Sequence, residues 1–178
     1  MSLQPLSKTT ILLHWLTGIF LLVVLGLGLY MDELPKGPDK FEIMGIHKSL
    51  GLAFLFVALI RVVWRIREGS LPALNVQQTW QDTMAKGIHL FLLLATVLMP
   101  VSGLMMSIGG GHGVTFFGSE LIAKGEEIKW MGGLGHELHE IGASLIILAL
   151  LLHIAGALKH EFKLKDGMLS RMLGKKSA

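Results

Sequence analysis

Four long apolar runs divide the chain. They cover approximately residues 10–30, 44–64, 88–108 and 138–158, and charged or glycine-rich stretches separate them. Each run holds about 20 residues, which at about 1.5 Å per helical residue crosses a bilayer core of about 30 Å. Only helices and closed barrels satisfy their backbone inside a bilayer, and these runs are too long for barrel strands. The pattern predicts an all-α integral membrane protein built as a four-helix bundle.

The composition supports one membrane domain over residues 1–178. Of the 178 residues, 52% are hydrophobic and only 16% are charged, which argues against both a soluble enzyme and a disordered chain. The first run is longer than the apolar core of a signal peptide, so we expect a span that is not cleaved. Because there is no cysteine, disulfides, iron–sulfur clusters and thiolate zinc sites are excluded. Eight histidines remain as the strong nitrogen ligands.

The charges are divided unevenly between the two ends of the predicted spans. One face, which holds both termini and the second connection, carries eleven basic and four acidic residues; the other carries five basic and nine acidic residues. The positive-inside rule therefore predicts that both termini are cytoplasmic. The formal net charge of +3 is the balance of +7 inside and −4 outside, so it does not predict a nucleic-acid partner.

Four histidines lie at two matched depths. His14 and His153 lie near the cytoplasmic ends of the first and fourth runs, and His47 and His139 lie near the outer ends of the second and fourth. His139 and His153 are 14 residues apart, which gives about 21 Å of rise and places them within about 40° on one helix face. The spacing predicts two facing pairs, His14/His153 and His47/His139.

Each facing pair is suited to hold an iron porphyrin between two imidazoles. Bis-imidazole ligation leaves no open position on the iron, so such haems carry electrons and do not bind oxygen. A glycine lies three or four residues after every candidate ligand, where a flat macrocycle needs space: Gly18, Gly51, Gly142 and Gly156. Two simpler interpretations stay open. The histidines could be polar contacts between helices, and the glycines could be ordinary packing residues.

The combined residue pattern resembles the bacterial cytochrome b561 family over nearly the whole chain. The motifs that carry the resemblance are His14-Trp15, His47-Lys48-Ser49-Leu50-Gly51, Arg61 to Arg65 (RVVWR), Pro100-Val101-Ser102-Gly103, the His139/His153 spacing, Lys159 to Lys163 and Leu169 to Met172. Members are four-helix dihaem proteins of the bacterial inner membrane. No internal repeat is evident in the sequence pattern.

The resemblance implies two b-type haems on the pairs His14/His153 and His47/His139, and electron exchange with membrane ubiquinone or menaquinone. It favours a quinone-linked oxidoreductase or electron carrier, and some members pass electrons from periplasmic superoxide to ubiquinone. Candidate contacts for haem propionates or the quinone headgroup are His160, Arg61, Arg65 and Lys8. The acidic outer face counts against superoxide, because an anion is attracted by a positive field.

Two alternative functions remain at this stage. The chain could be a haem-bearing membrane anchor that relays electrons for a periplasmic dehydrogenase or hydrogenase. It could also be a transition-metal carrier that uses the histidines directly, although this gives no reason for the paired depths. His89 begins the third run without an evident partner at its level. The donor, the acceptor and the oligomeric state stay open.

Overall fold

The computed structural model describes residues 5–69 and 80–175. Its elements in chain order are α1 (Lys8–Glu33), α2 (Pro38–Glu68), α3 (Trp80–Gly109), β1 (Val114–Phe116), β2 (Ser119–Ile122), α4 (Lys129–Lys159), a π-helical turn (His160–Leu164) and α5 (Met168–Met172). The helices α1 to α4 are each long and apolar enough to cross a membrane. The predicted all-α membrane bundle is confirmed.

The apolar side chains of the bundle point mostly outwards. Leu12, Phe56, Leu98 and Leu151 are each more than 60% exposed at the surface of the bundle, although they lie in its most apolar segments. The core is small by comparison and centres on four buried side chains, Leu21, Phe54, Ala95 and Ile146. A surface of this kind is stable only against lipid, because in water its exposed apolar area would drive aggregation.

Polar contacts close the end of the bundle that holds both termini, called here the terminus end. Ser7 caps α1 by accepting a hydrogen bond from the Thr10 N–H. The hydroxyls of Ser7 and Thr10 both donate to the Glu68 carboxylate at the end of α2. The Trp64 indole donates to the Thr10 hydroxyl at 2.9 Å. These bonds fix the start of α1 against the end of α2, so the two helices run antiparallel in a defined register.

A short β-hairpin covers part of the opposite end, called here the hairpin end. Its strands β1 and β2 are antiparallel, and the turn between them holds Phe117 and Gly118 at positive φ of 46° and 87°. The bulky Phe117 is unusual in this conformation. Its N–H donates to the buried Ser49 hydroxyl on α2 at 3.0 Å, so the connection between α3 and α4 is fastened to a different helix.

The halves of α3 and α4 at the hairpin end approach closely through glycines. A side chain at Gly135 would place its Cβ 2.5 Å from the Met106 backbone nitrogen and 2.9 Å from the Ser102 carbonyl oxygen. Small residues allow membrane helices to pack backbone against backbone in this way. This contact sets the position of α4, which carries His139 one turn further along the helix.

Replacement of Gly135 by alanine is expected to destabilise the bundle. The added methyl group meets rigid backbone atoms, and overpacking of this kind costs about 1–3 kcal/mol. The matched control is Gly133→Ala on the same helix, because a Cβ at Gly133 meets no atom of the described residues within 4 Å. Thermal unfolding in detergent should show a lower midpoint for Gly135→Ala alone. Equal midpoints for the two variants would contradict this packing.

Candidate functional site

The structure brings the four predicted histidines together in the two expected pairs. The imidazole centroids of His14 and His153 are 6.1 Å apart, and those of His47 and His139 are 6.2 Å apart. His14 lies six residues after the start of α1 and His153 six residues before the end of α4, so this pair lies near the terminus end. The second pair lies near the hairpin end.

The separation within each pair fits two imidazoles that bind one metal ion from opposite sides. With each nitrogen about 2 Å from the metal, the ring centres lie about 6 Å apart. The pairs connect α4 with α1 and α4 with α2, whereas close helix packing within the described ranges occurs between α3 and α4, α1 and α2, and α2 and α3. A flat macrocycle needs such a separation of backbones, so the residues fit a haem at both places.

The two histidines at the hairpin end are held by backbone carbonyls of the preceding helix. His47 Nδ1 lies 3.1 Å from the Val24 carbonyl oxygen, and His139 Nδ1 lies 3.1 Å from that of Met99. A carbonyl only accepts, so Nδ1 carries the proton in both rings. Nε2 is then free to bind a metal. This is the tautomer that metal-binding histidines take when a neighbour orients them.

Two glycines that the sequence analysis did not select make room for these rings. A Cβ at Gly28 would lie 3.1 Å from His47 Cε1, and one at Gly103 would lie 3.3 Å from His139 Cε1. Of the glycines chosen from spacing, Gly142 packs against Met99. A Cβ at Gly18, Gly51 or Gly156 would meet nothing within 4 Å in residues 5–69 and 80–175. Sequence spacing along one helix could not identify Gly28 or Gly103, because each leaves space for a histidine ring on another helix.

Arg61 lies beside His14 at the terminus end. Its guanidinium donates to the Thr17 hydroxyl, and its Nη2 lies 3.3 Å from His14 Nδ1. Guanidinium has no acceptor, so in this contact the imidazole must accept at Nδ1. A histidine that binds metal through Nε2 has its proton on Nδ1 instead. Metal binding by His14 through Nε2 would therefore free Arg61 Nη2 to donate to another acceptor.

His89 does have a partner, contrary to the prediction from the sequence. Its ring centroid lies 5.1 Å from that of His153, with the two planes at 77°. The prediction failed because depth along separate helices does not show how the helices are rotated towards each other. The distance is shorter than the 6.1 Å between His14 and His153, so His89 lies beside His153 and His14 remains the better partner across a metal.

The other predicted contact residues do not all converge. His160 Nδ1 donates to Asp166 at 2.5 Å in the segment that follows α4, so this ring is oriented by a carboxylate that the sequence analysis did not name. Arg65 donates to the Gly69 carbonyl at the end of α2. Lys8 is exposed at the first position of α1. Of the four residues, only Arg61 contacts a candidate ligand directly in the contacts described.

The C-terminal segment adds a further cation to this end. The Trp15 indole donates to the Met172 carbonyl at 2.8 Å, which holds α5 against the first helix next to His14. In the same turn, two buried nitrogens of Arg171, Nε and Nη2, have no hydrogen-bond partner among the described residues, and burial lowers the pKa of its guanidinium. Buried donors of this kind require an acceptor, so Arg171 joins Arg61 as a candidate anion contact.

The chain matches one protein family over nearly all of its length. The family described as "Prokaryotic cytochrome b561" matches residues 6–175. The chain belongs to the prokaryotic cytochrome b561 family. It is 31% identical over 177 residues to "Cytochrome b561 homolog 2" of Escherichia coli (strain K12), covering 93% of this chain and 89% of the relative. It is 26% identical over 171 residues to "Cytochrome b561 homolog 1" of the same organism, covering 94% and 96%.

A third relative carries a more specific name. The chain is 23% identical over 165 residues to "Probable superoxide oxidase CybB" of Yersinia pestis, covering 92% of this chain and 93% of that protein. Membership of the cytochrome b561 family makes this chain a multi-pass bacterial membrane protein of electron transfer, and the family implies b-type haem. Within residues 5–69 and 80–175, no group of three or more histidine or acidic side chains could hold a bare metal ion.

Replacement of Gly28 by valine is expected to weaken haem binding by this cytochrome b561. The new side chain displaces the His47 ring from the Val24 carbonyl, and loss of a contact that orients a metal-binding histidine lowers metal affinity by about 10-fold or more. The haem-to-protein ratio after purification measures the effect. Gly26→Val is the control, because in the part of the chain that the structure describes a Cβ at Gly26 meets nothing within 4 Å. Unchanged haem content in Gly28→Val would contradict the described placement of His47.

Proposed function

We propose that this cytochrome b561 binds two b-type haems, one between His14 and His153 and one between His47 and His139, and transfers electrons across the membrane in exchange with quinone. The observation that carries the proposal is the near-equal separation of the two imidazole pairs, 6.1 and 6.2 Å, at opposite ends of the bundle. It agrees with the family, which implies b-type haem without fixing the number.

The chain's own contribution is to hold ligands at two depths and to keep their geometry fixed. When bound, a haem with two imidazole ligands supplies a one-electron couple at an iron closed to other ligands. α4 presents His139 and His153 about 21 Å apart along its axis. The carbonyls of Val24 and Met99 keep two of the rings in the metal-binding tautomer, so little rearrangement accompanies oxidation or reduction.

Quinone is proposed to react at the terminus end. Arg61 Nη2 is the donor that ligation of His14 would free, and Arg171 and the His160–Asp166 pair lie at the same end. Donors with positive charge bind a haem propionate or a reduced quinone oxygen through charge-assisted hydrogen bonds. The charge asymmetry of the chain supports a cytoplasmic position for this end and for both termini.

At the hairpin end, the charge of the chain favours a neutral molecule or a protein as the physiological electron donor over superoxide. The outer connections sum to a formal charge of −4, and the exposed Glu140 lies beside His136 at 3.6 Å. Lys48 is a local exception, because it follows His47 directly and donates to Ser107 at 3.0 Å. The similarity to a probable superoxide oxidase keeps superoxide as the second candidate substrate.

Replacement of His139 by alanine is expected to remove one of two haems. The outer pair loses a ligand while His14 and His153 stay in place, so the pyridine haemochrome assay should give about half the wild-type haem per chain on the two-site proposal. His136→Ala is the control, because this side chain is exposed and three residues away on the same helix. Wild-type protein without b-type absorption, or two haems retained in His139→Ala, would contradict the proposal.

Replacement of Arg61 by glutamine is expected to slow reduction by quinol by about 10-fold or more, the cost of one charge-assisted hydrogen bond. Stopped-flow spectroscopy would follow haem reduction by quinol and, separately, by superoxide. Arg67→Gln is the matched control, since Arg67 is an exposed cation on the same helix. A higher quinol KM with unchanged haem content assigns Arg61 to quinone, whereas a changed haem potential assigns it to a propionate.

A further inference from the structure

The first and third helices carry residues with corresponding contacts at the same spacing. In α1, Val24 and Gly28 follow His14 by 10 and 14 residues; in α3, Met99 and Gly103 follow His89 by the same 10 and 14. The contacts repeat as well. The Val24 carbonyl contacts the ring of His47, and Gly28 leaves space for that ring. The Met99 carbonyl and Gly103 do the same for the ring of His139.

The second and fourth helices show the matching correspondence. Phe54 lies seven residues after His47, and Ile146 lies seven residues after His139; both side chains are 1% exposed in the shared core. The two helix pairs, α1 with α2 and α3 with α4, therefore present equivalent positions to the centre of the bundle. Parallel repeats of this kind occur in other membrane proteins. Few identical residues mark the repeat, so the sequence pattern alone does not reveal it.

One of the differences between the two halves lies beside the histidines of the hairpin end. Ser102 lies three residues after Met99, and Leu27 lies three residues after Val24. Ser102 is 3% exposed; its hydroxyl donates to the Met99 carbonyl at 2.8 Å and lies 2.9 Å from His139 Nδ1. We propose that Ser102 is a positioning residue that makes His139 a stronger iron ligand than His47, and so lowers the reduction potential of the haem at the hairpin end.

The direction of the effect follows from the hydrogen bonds. Because the hydroxyl proton of Ser102 goes to Met99, its lone pairs face the N–H of His139, which then has two acceptors. His47 has a single carbonyl acceptor in the contacts described. Acceptors at Nδ1 raise the basicity of the ligating nitrogen. A more basic ligand stabilises ferric over ferrous iron, and this lowers the potential of that haem alone.

The inference rests on the proposed haem ligation, and redox titration tests it separately. Wild-type protein and Ser102→Ala are titrated with optical detection, and His139→Ala identifies which couple belongs to the hairpin end. We expect Ser102→Ala to shift that couple to higher potential and to leave the other unchanged. Ser102→Thr keeps the hydroxyl and should have the wild-type reduction potential. Leu27→Ser offers the equivalent hydroxyl to His47. Because His47 and His139 form one pair, this variant should shift the couple of the hairpin end to lower potential.

The outcomes separate the two proposals. Wild-type protein without two b-type couples would overturn the haem assignment itself. Two wild-type couples that Ser102→Ala leaves unchanged, or shifts equally, would overturn the role of Ser102. A merely structural serine would alter thermal stability without a shift confined to one couple. If Ser102→Ala loses haem, Ser102→Cys replaces it in the titration, because it preserves volume and weakens the acceptor; unchanged potentials in that variant would likewise overturn the inference.

Discussion

The arrangement of the bundle depends on the distance across which two imidazoles face each other. About 6 Å between ring centres is too far for a direct hydrogen bond between the rings and too close for a side chain between them. The helices that carry the partners, α4 with α1 and α4 with α2, therefore cannot pack as closely as α3 packs on α4. The tight α3–α4 contact, which includes Gly135, holds α4 in place. The close packing of α4 on α3 and the wider gaps across the histidine pairs are therefore two parts of one arrangement.

The two ends of the bundle treat their histidines differently. At the hairpin end, neutral acceptors fix one tautomer, and the rings are confined by Gly28 and Gly103. At the terminus end, the polar neighbours of the rings include Arg61, and a third histidine, His89, lies alongside. Rings that are held by neutral carbonyl acceptors suit simple electron passage. A surrounding that includes a cation suits exchange with a partner whose charge or protonation changes.

The sequence predicted those features that depend on rise along a single helix. Four apolar runs of membrane length and the two matched histidine levels follow from residue spacing alone. Features that depend on how one helix is rotated against another were not accessible: the place of His89 beside His153, the carbonyls that hold His47 and His139, and the glycines that admit them. The His160–Asp166 pair was missed for a related reason, since it arises where α4 ends in a π-helical turn and the chain folds back.

The last of the four long helices contributes one histidine to each pair, and this has a consequence for biosynthesis. Chains are made from the N-terminus, and their parts fold in that order. His14 and His47 are synthesised before His139 and His153, so α1, α2 and α3 alone present only half of each proposed ligand pair. Neither pair is complete until α4 has joined the bundle. Cofactor loading would then follow chain insertion as a late step, and an interrupted chain would not trap iron porphyrin between two ligands.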